Sequence, residues 1–234
     1  KQCGNEVLMP ENEDEFTVDV LYNILCRQES SDIPLPTRVQ DIVSRYVEQG
    51  KNTDVIPCTE FFAPKTIDFT HAKYICIDGL YHSYLLIPSD GYKSRVTAGW
   101  LSLLVNAGDG IDIDLYLAKQ PKERMVHKLG QQLRINRSKI KETSDTNTDF
   151  DDLDGAIRSG YFLKDGLANN EDFYYMNLLI TITAETPEDL AWREREMKKL
   201  LVSQDLAVSA CSFREEQAFL SALPLTSLEK HLFG

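Results

Sequence analysis

The chain has 234 residues, 42% of them hydrophobic, with 37 acidic against 25 basic side chains and a formal net charge of −12. That length suits one to two domains with a core that needs no staples, and the charge opposes a phosphate backbone unless cations are concentrated locally. Five scattered cysteines, Cys3, Cys26, Cys58, Cys76 and Cys211, form no C-x-x-C pair, which argues against a disulfide framework or a zinc site. They read instead as small buried hydrophobes in a reducing compartment, which points to the cytoplasm. No apolar run approaches the roughly 18 to 20 residues that span a bilayer. Residue 1 is Lys, and no basic segment leads into an apolar one, so the chain reads as a soluble piece of a longer protein.

An acidic start, Glu11 to Glu15, leads into Phe16, Val20, Leu21, Ile24 and Leu25 at helical spacing. Pro34 and Pro36 mark an extended connector. Thr37 then offers an N-cap for a second helix, with Val39, Ile42, Val43, Tyr46 and Val47 on one face and its end near Gly50. A helical lead-in and linker over residues 1–57 is therefore expected, followed by an α+β domain over residues 58–234. Tyr74 to Ile77 and Tyr81 to Ile87 are rich in β-branched and aromatic residues and flank Asp78-Gly79, a dipeptide of tight hairpin turns because Gly accepts positive φ. Pro88 to Gly91 makes a second turn, and Val96 to Asn106 a short apolar helix containing Trp100, Leu101, Leu104 and Val105. Gly108 and Gly110 interrupt it before a strand from Ile111 to Leu117. Asp112-Ile113-Asp114 has the D-x-D form that can hold a metal and a nucleotide sugar, but the alternation with Ile111, Ile113, Leu115 and Leu117 makes the aspartates the polar face of a half-buried strand.

The segment Lys122 to Glu142 concentrates positive charge: Lys122, Arg124, Lys128, Arg134, Arg137, Lys139 and Lys141 against Glu123 and Glu142. Met125, Leu129, Leu133 and Ile140 at helical spacing make it an amphipathic helix, its cations a solvated face or a partner-binding surface. A nucleic-acid surface is the alternative, weakened by the lack of aromatics on which bases could stack. Asp145 to Asp149 copies the D-x-N-x-D opening of a calcium loop. Phe150 stands where the sharp turn needs Gly, and Ala156 where a bidentate Glu belongs. Asp145, Asp149, Asp151, Asp152 and Asp154 therefore read as a connector at the N-terminus of a helix over about Phe150 to Leu167, where negative charge favours the dipole. Phe173 to Ala184 alternates as a long half-buried strand, Tyr174, Met176, Leu178, Ile180, Ile182 and Ala184 on one face and Asn177, Thr181 and Thr183 on the other. Thr186-Pro187-Glu188-Asp189 opens a helix to about Ser203, and a strand from Ala207 to Phe213 and a helix from Arg214 to Ala222 follow. This order predicts an α+β fold: a mainly antiparallel sheet with helices packed on one face, partly ferredoxin-like.

Catalytic constellations are weak. His71, His82, His127 and His231 have no metal-ligand spacing and no nucleophile elbow accompanies them, so they read as ordinary surface or strand histidines. Gly155 to Gly160 has the glycine spacing of a phosphate loop but runs into Tyr161-Phe162, without the Lys and Ser/Thr such a loop needs.

Glu216 to Leu225, together with Ile56 to Phe69, Tyr92 to Asn106, Gly130 to Asp154 and Phe173 to Pro224, resembles the N-terminal domain of conjugative type IV secretion system ATPases, the CagE/TrbE/VirB class, of the kind on Gram-positive integrative elements and plasmids. The resemblance covers most of residues 55–234 and rests on extended similarity, with no catalytic motif in it. It implies a non-catalytic docking and assembly domain, cytoplasmic and peripheral to the inner face of the cell membrane. ATP and magnesium would belong to a downstream hexamerising motor carrying G-x-x-x-x-G-K-[ST], and no catalytic, cofactor or metal residue to this chain. The implied partners are that motor and inner-membrane components of a secretion complex. Two other readings are a metal-dependent hydrolase using the Asp145 to Asp154 cluster and a nucleic-acid-binding module using Lys122 to Lys141.

Overall fold

The computed structural model describes residues 13–27, 33–92, 96, 99–142 and 148–224. Two helices, α1 (Glu13–Cys26) and α2 (Leu35–Glu48), form the lead-in. Pro36 lies inside the first turn of α2, where a fixed φ and a missing N–H are tolerated, so the extended connector is shorter than the two prolines suggested. The cap is Pro34, and Thr37 is already helical. The buried row of α2 is Arg38, Ile42 and Tyr46, while Val43 and Val47 are exposed. Specific partners explain that rotation. Arg38 pairs with Asp19, lies 4.1 Å from the centre of the Tyr22 ring and donates to the Phe61 carbonyl at 3.2 Å. Glu60 receives Arg45 at 3.0 Å and the Tyr46 hydroxyl at 3.2 Å.

Among the described residues six strands form one sheet, antiparallel in every pairing: β1 (Ile67–Asp68), β2 (Ile75–Ile77), β3 (Leu80–Ile87), β4 (Ile111–Gln120), β5 (Phe173–Ala184) and β6 (Ser209–Ala210). The order is β1-β2-β3-β5-β4, with β6 joining the end of β3 beyond β2. Asp78 at φ 49° and Gly79 at φ 90° make the two-residue turn between β2 and β3, both with the positive φ of a type I′ hairpin. Since β3 and β4 both run antiparallel to β5, they are parallel to each other with β5 between them. By the same logic β5 and β6 flank β3. The helix α3 (Trp100–Val105) makes the first of these crossovers and α6 (Pro187–Ser203) the second. Two interlocked split β-α-β units are the ferredoxin-like pattern, in line with the α+β expectation. The helices α4 (Lys122–Glu142) and α5 (Thr148–Ala168) are an insertion between β4 and β5, which are neighbours.

α3 and α6 pack on one face of the sheet, over Leu85, Ile87, Leu178, Ile180 and Ile182. The opposite face is covered by α7 (Glu215–Ser221), through Ala218 and Phe219 against Ile75, Tyr84, Leu86 and Leu179. This second cover changes β5. Expected to be half-buried, it is buried on both faces from Leu178 to Ile182, and each aliphatic side chain so buried contributes about 1.5–3 kcal/mol. α3 begins only at Trp100 because Gly99, at φ 79°, stands outside right-handed helical space; Val96 is not helical, and residues 97–98 lie outside the described set. β4 runs three residues past Leu117. It is preceded by Gly110 (φ 75°), where a Cβ would meet the Thr183 carbonyl oxygen at 2.8 Å, so only glycine fits. α6 is capped as its sequence suggested, the Asp189 N–H donating to the Thr186 hydroxyl at 3.2 Å.

Candidate functional site

The basic segment is one helix, α4, with the bounds its composition suggested, and it runs back against α5 as a hairpin. At about 1.5 Å per residue each arm is about 31 Å long. Contacts with the sheet gather at the base: Lys119 pairs with Asp172 at 2.6 Å, Lys122 donates to Asn170 at 3.0 Å, and Lys128 reaches the Tyr175 hydroxyl at 2.9 Å. Further out the arms hold each other. Met125, Leu133 and Asn136 are the buried row of α4. Gly160 of α5 admits Leu133 so closely that a Cβ there would lie 2.8 Å from its Cδ2. Arg137 donates to the Tyr161 hydroxyl at 3.0 Å, and Arg134 Nε to the Gly130 carbonyl at 3.2 Å. The two glycines that mimicked a phosphate loop are thus both inside α5.

The seven cations do not form one row. With 3.6 residues per turn, Arg134, Arg137 and Lys141 fall on one flank of α4 and Arg124, Lys128 and Lys139 on the other, with Lys122 near the packed side. Ile135 is exposed within the second of these flanks, between Arg124 and Lys128. α5 is opposite in character, carrying Asp149, Asp151, Asp152, Asp154 and Asp165 against Arg158 and Lys164. Of the proposed calcium cluster, residues 145–147 lie outside the described set and nothing is described of the Asp149 side chain. Asp151 and Asp152 are exposed, and Asp154 pairs with Arg158 at 2.6 Å. Sequence reading overlooked the apolar part of this helix: Tyr161, Phe162 and Leu163 are all exposed, Phe162 at 75%. A three-residue apolar run on a helix can point to one side only in part, and that was the available signal.

A second concentration of chemistry lies under α7. Alternation places His82 and Tyr84 of β3, Thr181 and Thr183 of β5, and Asp112 and Asp114 of β4 on this face, with Tyr84, Thr181 and Asp112 in one row across the strands. Arg27, just past α1 at φ 54°, reaches over the sheet to Asp112 at 2.9 Å and to the Ala222 carbonyl at 3.4 Å. The D-x-D pair is therefore on a polar face, as expected, but one that is partly enclosed. Burial pushes Asp114 up to about 6; Arg27 opposes that shift and Asp112 adds to it. Burial pushes His82 down to about 3, with Arg27 helping, and its Nδ1 lies 3.0 Å from the Thr183 hydroxyl. The Tyr84 phenol is raised by the same desolvation. Cys211, on this face, and Cys26 are buried thiols pushed up to about 12, whereas Cys58 is exposed. Such a row holds neutral groups and one ion pair in place; its chemistry is proton retention near pH 6 at Asp114.

No group of three or more metal-ligating side chains occurs among the described residues, and no helix among them is long and apolar enough to cross a membrane. No protein-family model and no curated protein matches the chain.

Proposed function

We propose that this chain is a non-catalytic docking and assembly domain of a conjugative DNA-transfer ATPase of the type IV secretion class, working in the cytoplasm at the inner face of the membrane. The observation that carries the docking reading is the α4–α5 hairpin: two arms that hold each other, contact the sheet at their base, and present cations, Ile135 and Phe162 outward. The assignment to the secretion class comes from the sequence resemblance. On that reading the partners are the motor of the same protein, which would bind ATP and magnesium and assemble as a hexamer, and subunits of the inner-membrane complex.

A protein partner is favoured over DNA on electrostatic grounds. The hairpin carries the aspartates of α5 as well as the cations of α4, so a phosphate backbone laid along it would meet both signs. An acidic protein segment with an apolar anchor would complement one flank of α4 and Phe162. The test is charge reversal, Arg134→Glu with Arg137→Glu, read in parallel as association with the motor or a membrane-complex subunit and as DNA retention at physiological salt. Loss of protein association with weak DNA binding throughout is the expected result. Tight DNA binding by the unaltered chain, lost in the variant with a flatter salt dependence, would replace docking by nucleic-acid recognition.

A further inference from the structure

β4 ends the sheet: among the described residues it pairs with β5 and with no strand on its other side. It is ten residues long, contains neither Pro nor Gly, and its register against β5 is unbroken from Ile111 to Gln120, so no bulge twists the edge away. Which backbone groups face outward follows from one hydrogen bond. The Thr183 N–H donates to the Gly110 carbonyl at 2.8 Å, and these residues lie directly opposite in the register that pairs Ile111 with Ile182. Antiparallel pairs alternate between bonded and non-bonded. Asp112, Asp114, Tyr116 and Ala118 therefore direct N–H and C=O toward β5, and Ile113, Leu115, Leu117 and Lys119 direct theirs to the open edge. The side chains of this outward set share the α6 face, yet α3 and α6 cover only its beginning: Leu115 is 40% and Leu117 60% exposed, beside Tyr174 at 48%.

We infer that this edge pairs antiparallel with the same edge of a second copy of the chain, extending the sheet across a two-fold axis. The axis of such a pair stands perpendicular to the sheet, so the exposed apolar side chains of both copies meet on one face. Outward-facing groups must oppose outward-facing groups, which restricts the centre of symmetry to a residue. Charge then selects the register. Centring on Ile113 sets Asp112 against Asp114 of the other copy, and centring on Asp114 sets Asp114 against itself; like charges directly opposite are unfavourable. Centring on Leu115 sets Leu115 against its mate, Leu117 against Ile113, Asp114 against Tyr116 and Asp112 against Ala118. Centring on Tyr116 sets Leu115 against Leu117 and keeps the aspartates apart as well. Among the registers that keep like charges apart, these two pair the longest stretch of β4 and place Leu115 and Leu117 at the middle of the joint, so the strand is self-complementary where it is most exposed. The joint is independent of the docking hairpin.

Sedimentation velocity over a hundredfold range of concentration, with amide hydrogen exchange read at Leu115 and Leu117, tests the pairing on the whole chain. A dimer should form, with exchange at both amides slowing in step with the dimer fraction. Leu117→Lys should raise the dimer dissociation constant at least tenfold at unaltered circular dichroism. Leu115→Pro should do the same by deleting an outward N–H that β5 does not use; if that variant fails to fold, Leu117→Lys and the exchange data decide. A chain that stays monomeric overturns the inference, as does a dimer whose Leu115 and Leu117 amides exchange at the monomer rate. Protection of both amides at every concentration also overturns it, since the edge would then be covered within one chain.

Discussion

His82 and Asp114 lie on the same face of the sheet and respond to acid in opposite directions. An unfolded histidine gains its proton near 6.5, but His82 in the fold gains one only near 3, so between those values the unfolded chain binds the extra proton and stability falls as pH falls. Each pH unit in that window costs up to about 1.4 kcal/mol. Asp114 works the other way. Its carboxyl is raised from 3.8 to about 6, so in that window the folded chain holds a proton the unfolded chain has released, and stability through this group rises as pH falls. Denaturant midpoints measured from pH 3 to 7 should therefore fall with acid in the unaltered chain, fall less in His82→Gln, and fall more steeply in Asp114→Asn. Parallel curves for all three proteins would show that neither group titrates as its surroundings require.

At the level of elements, the α4–α5 hairpin depends on one close approach. Gly160 lets Leu133 sit where a side chain would otherwise be, and the helical preference for any residue over glycine is smaller than the overpacking a branched side chain would cause. Gly160→Val should cost about 1–3 kcal/mol, concentrated in the hairpin. Hydrogen exchange is the discriminating measurement: amides of α4 and α5 should lose protection while those of β3 and β5 keep theirs. Equal loss everywhere would mean that hairpin and sheet unfold as a unit. The Asp78-Gly79 turn and the Thr186 cap were legible in the sequence because each depends on a few consecutive residues. The face of α2 was legible in part: Ile42 and Tyr46 were expected on it and are buried, but the burial of Arg38 was not, because it depends on Asp19, Tyr22 and Phe61, which lie elsewhere in the chain.

For the whole molecule, the insertion of α4 and α5 between paired strands has a direct consequence. Gln120 and Phe173 are directly opposite, and the alternation along β4 makes them a hydrogen-bonded pair, the kind a two-residue turn closes. Replacing residues 121–172 by Asn-Gly should leave a folded protein with the same sheet, because the core clusters under α3, α6 and α7 draw nothing from the hairpin. Circular dichroism and a cooperative melt would check the fold, and the excised protein should have lost its association with the docking partner while retaining the β4 edge. An unfolded product would mean that α4 and α5 support the sheet.

The sequence by itself determined the local matters: where periods of 2 and 3.6 begin and end, the tight turn before β3, the span of the basic helix, and the α+β class to which that order of elements leads. Each of these depends on residues within a turn or two of one another. Only the tertiary structure decided how exposed a given face would be. β5 is buried on both sides because α7 returns to cover the face carrying Leu179 and Thr181. Asp114 retains a proton near pH 6 because burial, with Asp112 beside it, outweighs the opposing charge of Arg27, which comes from the end of α1. Leu115 and Leu117, whose alternation reads like that of Ile111 and Ile113, remain open because α3 and α6 stop short of them. Periodicity tells which side chains share a face, but the free energy of that face depends on what packs against it, and that neighbour is distant in the chain.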